Sequence, residues 1–319
     1  MANYQPRFWQ QEQEEFEYVF RGDVAHGVEP YIFTEPILIA IDVALVTGRP
    51  LLVAGKPGCG KSRLADAVAA LLGWNFLERT MTSRTRPEEL TVEIDHLRRL
   101  HDAQSKGSTA MPPDAVYRNP GVFWWAFEPD SATVRGCSEA VLRRHRVRLD
   151  YPGIRRRRPG EIQHTVLLID EIDKAEPDVP NDLLEPLDVA SFSLPDGKSV
   201  CAPADQKRLT IITTNGERAL PPAFLRRCVS LVVDEPSRAQ LIAIAEAHEP
   251  RANTDLVSAI ADKIERFRDK ASTHGRTPGT SEFLDAIRAC VALEITVDDA
   301  EDSVWTQVQK SILQKTTEV

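Results

Sequence analysis

Residues 55–62 read GKPGCGKS. Spaced glycines followed by a lysine and a hydroxyl residue satisfy G-x-x-x-x-G-K-[ST], a pattern whose chemistry is the holding of phosphate. Glycines let the backbone fold around the anion and point successive N–H groups inward. Lys61 would reach the β- and γ-phosphates, and Ser62 would offer its hydroxyl to Mg2+. A helix starting here turns the positive end of its dipole toward the same anion. The apolar run RPLLVA before the motif and RLADAVAALLG after it supply the strand and helix that the pattern requires. That context separates it from a plain glycine-rich turn.

Further along, VLLIDEID (166–173) gives four apolar residues followed by Asp170 and Glu171. Downstream of a phosphate loop, Asp170 would hold Mg2+ through water and Glu171 would polarise an attacking water. LTIITTNGE is another buried-type strand, ending in Asn215. Its amide can position the water near the γ-phosphate without competing as a base; a turn-forming asparagine is the alternative. PPAFLRRCVSLVVD places Arg226 and Arg227 just before a strand. A permanently charged, planar guanidinium can stabilise charge spread over a transferring phosphoryl group. Such an arginine would serve the neighbouring subunit, unless the two are a surface pair.

These groups need a frame. PILIAIDVALVTG (36–48) carries apolar residues at helical spacing, and PLLVA (50–54) is a short continuous apolar run, as in a strand covered on both faces. Strands are expected at 75–82, 165–170, 208–215 and 229–234, with a helix over 62–73 and another around 178–189. Short apolar runs alternating with helices indicate an α/β fold, a parallel sheet with helices on its faces. After residue 236 only helical patterns remain. The expected organisation is an N-terminal segment (1–30), an αβα core (31–236) interrupted by an insertion (83–160), and a helical lid (237–319).

In order and spacing, GKPGCGKS, VLLIDEID, TIITTN and PAFLRRC resemble the Walker A, Walker B, sensor 1 and arginine-finger motifs of AAA+ ATPases. IDKAEPDVPNDLLEPLD, FSLPDG and RTPGTSEFLDAIRA resemble more narrowly the MoxR-type branch and its CoxD-like members. The resemblance implies a P-loop core with a C-terminal helical lid, using ATP and Mg2+. It further implies a homo-oligomer, a hexameric ring with nucleotide between subunits, that remodels a protein client, often with a von Willebrand factor A domain partner. Carried over by position, Gly55, Pro57, Gly58, Cys59, Gly60, Lys61, Ser62, Arg63 and Asp170 bind the nucleotide, with Ser62 and Asp170 at the metal. Glu171, Asn215, Arg227 and Arg226 are the catalytic set, Arg227 being the better match to the finger because it directly precedes Cys228. One departure concerns the lid: TPGTSEFL lacks the sensor 2 arginine, and Arg276 stands nearest. Thr82 or Ser83, ending the second strand, is a candidate to hold Glu171 inactive.

Composition narrows the alternatives. The chain has 319 residues with a net charge of −9, so no general field draws it to nucleic acid. No apolar run approaches the ~20 residues of a membrane span, and the N-terminus lacks the pattern of a secretion signal. A soluble, cytoplasmic protein is expected. Five dispersed cysteines without a C-x-x-C pair read as reduced thiols, and no histidine or cysteine spacing suggests zinc. Residues 143–158 hold eight arginines downstream of GVFWWAF (121–127). Arginines near aromatics can bind single strands by phosphate contact and base stacking, which leaves a nucleic-acid motor or loader open. Packing, intersubunit contact and a solvated face are the other readings of this segment. A nucleotide-dependent assembly switch is the third function considered.

Overall fold

A computed structural model of the chain describes Arg7 and residues 18–106, 111–153, 164–271, 277–297 and 303–313. Its strands are β1 (Tyr18–Phe20), β2 (Tyr31–Phe33), β3 (Leu51–Ala54), β4 (Asn75–Thr80), β5 (Val92–Ile94), β6 (Arg118–Pro120), β7 (Thr165–Asp170), β8 (Ser191–Ser193), β9 (Ser199–Cys201), β10 (Arg208–Thr214) and β11 (Val229–Val232). The first helices are α1 (Glu35–Thr47), α2 (Lys61–Leu72), α3 (Pro87–Thr91), α4 (His96–Lys106), α5 (Val122–Phe127), α6 (Pro129–Thr133) and α7 (Glu139–Leu142). There follow α8 (Val179–Asp182), α9 (Leu184–Val189), α10 (Pro222–Leu225), α11 (Arg238–His248), α12 (Thr254–Ala271), α13 (Thr280–Ala292) and α14 (Val304–Val308).

Five strands form one sheet in the order β11-β3-β10-β7-β4. The pairs β4–β7 and β7–β10 are parallel, with Thr165 opposite both Asn75 and Arg208. In β7, Val166, Leu167, Leu168 and Ile169 are all buried. Successive strand residues face opposite sides, so burial of all four means that both faces are covered. This is the αβα parallel-sheet core expected from the alternation of apolar runs and helices.

The chain packs as two compact units: Met1–Ile39 with Val53–Ala67 and Leu231–Val319, and Ala40–Leu52 with Val68–Ser230. In the first unit, β1 and β2 form an antiparallel hairpin with Tyr18 opposite Phe33. The helices α11 to α13 are amphipathic around a shared core of Leu241, Ile260, Ile264, Phe283, Ile287 and Trp305, each 0% exposed. A capping box starts α11: the Ser237 hydroxyl accepts from Gln240 N at 3.3 Å, and Ser237 N donates to Gln240 Oε1 at 3.0 Å. From Ser237 onward the described residues form helices and no strand, as their spacing predicts.

In the second unit the segment between β4 and β7 folds into short elements, including the antiparallel β5–β6 pair. Its aromatic run becomes α5, and Phe123, Trp124, Trp125 and Phe127 are all buried. Trp124 meets Phe192 edge-on with centroids 6.3 Å apart, and Trp125 meets Tyr151 at 5.8 Å. Each buried ring stabilises the unit by roughly 1.5–3 kcal/mol. These aromatics therefore pack a core and do not form a platform for bases. Arg143, Arg144, Arg146 and Arg148 are exposed. The other four arginines of the run, Arg155 to Arg158, lie outside the described residues, as do Arg276 and most of the N-terminal segment.

The helix expected around 178–189 is two helices, α8 and α9. Pro186 has no N–H to donate to the carbonyl of Asp182, so the ladder breaks there. β4 also stops short, at Thr80. Met81 N still donates to Asp170 O at 2.8 Å, but Thr82 N and Oγ1 turn instead to the Thr85 hydroxyl, at 3.0 and 3.1 Å.

Candidate functional site

The candidate residues fall into two clusters, one in each unit. In the first unit β3 ends at Ala54 and the chain turns through residues 55–60 into α2. Glycine is required at three places in this turn, one of them Gly58 at φ +81°. A Cβ on Gly55 would lie 2.5 Å from the carbonyl oxygen of Val233, and Gly60 adopts φ +91°, which side chains rarely do. Lys61 is 7% exposed, and its Nζ donates to the carbonyls of Gly55 and Lys56, both at 2.8 Å. The ammonium is thereby fixed inside the turn, next to the first N–H groups of a twelve-residue helix. Ser62 lies in the first turn of that helix.

The remaining loop residues are placed as follows. Pro57 is exposed, and Gly58 accepts from Thr280 N at 3.0 Å through its carbonyl. Cys59 Sγ lies 4.0 Å from Lys61 Nζ, and burial pushes its thiol pKa up. Arg63 pairs with Asp66 at 3.2 Å and with Glu29 at 3.5 Å. A turn with no room for a Cβ at Gly55, a fixed ammonium and a helix N-terminus together match the donor set that a polyphosphate needs. The Ser62 hydroxyl is a hard oxygen of the kind that could ligate Mg2+.

Beside this loop, within the same unit, lies a cavity of about 580 Å³. That volume suits a small-molecule site. Ile32, Ile37, Ile244 and Leu284 give it apolar walls, while Glu29 and Arg288 bring charge to its lining. Arg288 is itself held by Glu249 at 2.7 Å and Glu29 at 3.7 Å. Apolar walls suit a flat base, and the adjoining loop suits its phosphates.

The second cluster is built on the carboxyl ends of β7 and β10. Thr213, wholly buried, donates its hydroxyl to Asp170 Oδ1 at 2.5 Å and accepts from Glu171 N at 2.9 Å. Glu171 leaves the strand with φ 58° and ψ 49°, the left-handed region, which costs a non-glycine residue about 1–3 kcal/mol. Its carboxylate is held on both sides. Asn215 Nδ2 donates to Oε1 at 3.3 Å, and Lys174 Nζ lies 2.7 Å from Oε2. That bond raises the Lys174 pKa. Asp173, 3% exposed, accepts from Asn215 N at 3.2 Å and Glu217 N at 2.9 Å, fixing the turn that carries the amide.

Both arginines after α10 are exposed. Arg227 Nε donates to Asp188 Oδ2 at 2.8 Å, and Arg227 Nη1 to Ala223 O at 3.4 Å. Arg226 makes no ion pair among the described residues.

The structure thus brings together Asp170, Glu171 and Asn215, and separately Gly55, Gly60, Lys61 and Ser62. Thr82, expected as a partner of Glu171, is engaged with Thr85. Thr213, Asp173 and Lys174 were missed. A signal for two of them was present in IDEIDKA, where a third carboxylate and a lysine follow the acidic pair after one isoleucine. Nothing local marks Thr213, which is one of three threonines in β10.

Fold and clusters define a nucleotide-binding α/β domain of the phosphate-loop type with a helical C-terminal part. A family model of the AAA domain, dynein-related subfamily, matches residues 50–228, more than half of the chain. The chain belongs to that family. No curated protein compared with the chain matches it. Among the described residues no helix is long and apolar enough to cross a membrane.

Proposed function

We propose that the protein is a MoxR-like ATPase that hydrolyses ATP at subunit interfaces of a ring, six subunits in the family pattern, to remodel a protein client. The core of residues 31–236 would carry the chemistry and the lid of 237–319 would move with it. The observation that carries this reading is the Glu171–Asn215 pair, a carboxylate and an amide 3.3 Å apart, in a chain whose loop encloses the Lys61 ammonium. Lys61, Ser62 and the loop N–H groups would bind the phosphates, and Ser62 and Asp170 would hold Mg2+. When bound, that cation supplies charge neutralisation at the phosphates. Glu171 would accept the proton of a water that Asn215 orients. Arg227, after giving up Asp188, would reach the neighbour's nucleotide, with Arg226 beside it.

The MoxR-type motifs support a partner with a von Willebrand factor A domain. Burial of the aromatic run weighs against single-strand binding. The test is ATPase rate against protein concentration. A finger supplied by the neighbour requires the rate per protomer to rise with assembly, whereas a rate independent of concentration refutes action in trans. Glu171→Gln should bind ATP and assemble without turnover; ATP-driven assembly with negligible wild-type turnover would instead favour a switch.

A further inference from the structure

We propose that Lys174 is a positioning residue, a clasp that holds the Glu171 carboxylate turned away from the reacting water and that must let go for hydrolysis. The inference rests on Glu171 being the general base.

The geometry is local. Lys174 N donates to Glu171 O at 3.0 Å, closing the 3₁₀ turn of Ile172–Lys174. With Glu171 in the left-handed region, this turn brings the two side chains together at i and i+3. The resulting contact, 2.7 Å to Oε2, is shorter than the 3.3 Å contact of Asn215 with Oε1. An ionised pair makes the stronger hydrogen bond, so Lys174, more than Asn215, sets the direction of the carboxylate. A base that shares its water with the Asn215 amide needs the opposite balance.

The clasp also has somewhere else to go. Besides Glu171, the Lys174 ammonium feels Glu217 and Asp173. Asp173 is already committed to two main-chain N–H groups, but Glu217 is exposed, so the lysine can exchange carboxylates without losing a counter-charge. Side-chain exposures of 41% for Lys174 and 29% for Glu171 make the present pair weak enough to be exchanged. Two arrangements of similar energy are what a switch requires.

The test compares Lys174→Met with wild type in steady-state ATPase assays of the full chain at fixed concentration. Expected is a basal kcat raised roughly two- to fivefold, the size of a half-exposed ion pair, with KM for ATP unmoved. Lys174→Arg, which can rebuild the clasp, should bring the rate back toward wild type. The double variant Lys174→Met/Glu171→Gln should be as inactive as Glu171→Gln, showing that the gain passes through Glu171. A kcat that is unchanged or lowered in Lys174→Met, or a gain that survives in the double variant, overturns the clasp. An active Glu171→Gln fails in a different place: it removes the base assignment first, and the clasp with it.

Discussion

In the phosphate loop, Lys61 is held by main-chain carbonyls five and six residues before it. In the carboxylate cluster, Asp170 and Glu171 are held by Thr213 and Asn215, from 42 to 44 residues away. The first arrangement is made by backbone shape, and the second by side chains that meet only because β7 and β10 lie side by side in register. Backbone shape demands particular residues at fixed spacing, whereas a cross-strand hydrogen bond demands only a compatible group at the right register position. The two clusters should therefore respond differently to substitution.

The largest effects divide binding from chemistry. Lys61→Ala should abolish ATP binding, because the one cation fixed inside the loop is lost. Glu171→Gln should keep binding and lower kcat by on the order of 10³-fold, within the range for loss of a general base. Titration with a fluorescent nucleotide, beside the ATPase assay, separates the two. If Glu171→Gln also fails to bind, the division of labour between the clusters is wrong.

Next in size is the proposed finger. Arg227→Ala should lower kcat on the order of 10²-fold, as for loss of one preorganised charge donor, while Arg226→Ala should cost far less. Mixing Arg227→Ala with Lys61→Ala protomers should restore part of the activity, since each supplies what the other lacks across an interface. No recovery on mixing would place the arginine in its own subunit's chemistry.

Smaller effects fall on stability and sharpen the contrast between backbone and side-chain support. Gly55→Ala forces a Cβ to within 2.5 Å of the Val233 carbonyl, and only movement of the main chain can relieve that. Thr213→Val keeps the shape but strips Asp170 and Glu171 N of a shared partner. Each should cost about 1–3 kcal/mol in denaturant unfolding, from overpacking in one case and lost buried hydrogen bonds in the other. The activity of Thr213→Val should fall further than its stability predicts, because Glu171 loses its anchor. A Thr213→Val protein with wild-type kcat would show that Glu171 is fixed by its strained backbone alone.

The same contrast explains what could be read without coordinates. Strand and helix positions were legible wherever apolar runs met glycine or proline boundaries, as at Leu51–Ala54 and Thr165–Asp170. GKPGCGKS, Asp170, Glu171 and Asn215 were legible because each ends or follows such a run. Thr213 was not, since alternation along β10 marks which residues are buried but not which hydroxyl bridges to the next strand. Pro186 was in plain view, yet a helical pattern across 178–189 hid the break that its missing N–H causes. Lys174 escaped for a further reason: its contact with Glu171 depends on the left-handed backbone at a glutamate, which residue type alone argues against.

The smallest effect expected is a response to pH in the first unit. Burial chiefly lowers the His248 pKa from the ordinary 6.5, and Arg288 lowers it further, against the raising influence of Glu29, Glu249 and the Pro30 carbonyl. A neutral histidine in the folded state and an ordinary one in the unfolded state bind protons unequally once pH falls below about 6.5. The unfolded chain then takes up the proton first, so folding stability declines as pH drops through that value and levels off below the depressed folded-state pKa. Well above 6.5 both states are neutral and the group contributes no slope. Calorimetry of the full chain at pH 7.5 and 5.5 should show a fall in Tm, part of it traceable to this group and absent in His248→Gln. If His248→Gln and wild type lose the same Tm over that range, the proton is taken up elsewhere and burial of the imidazole carries no pH cost.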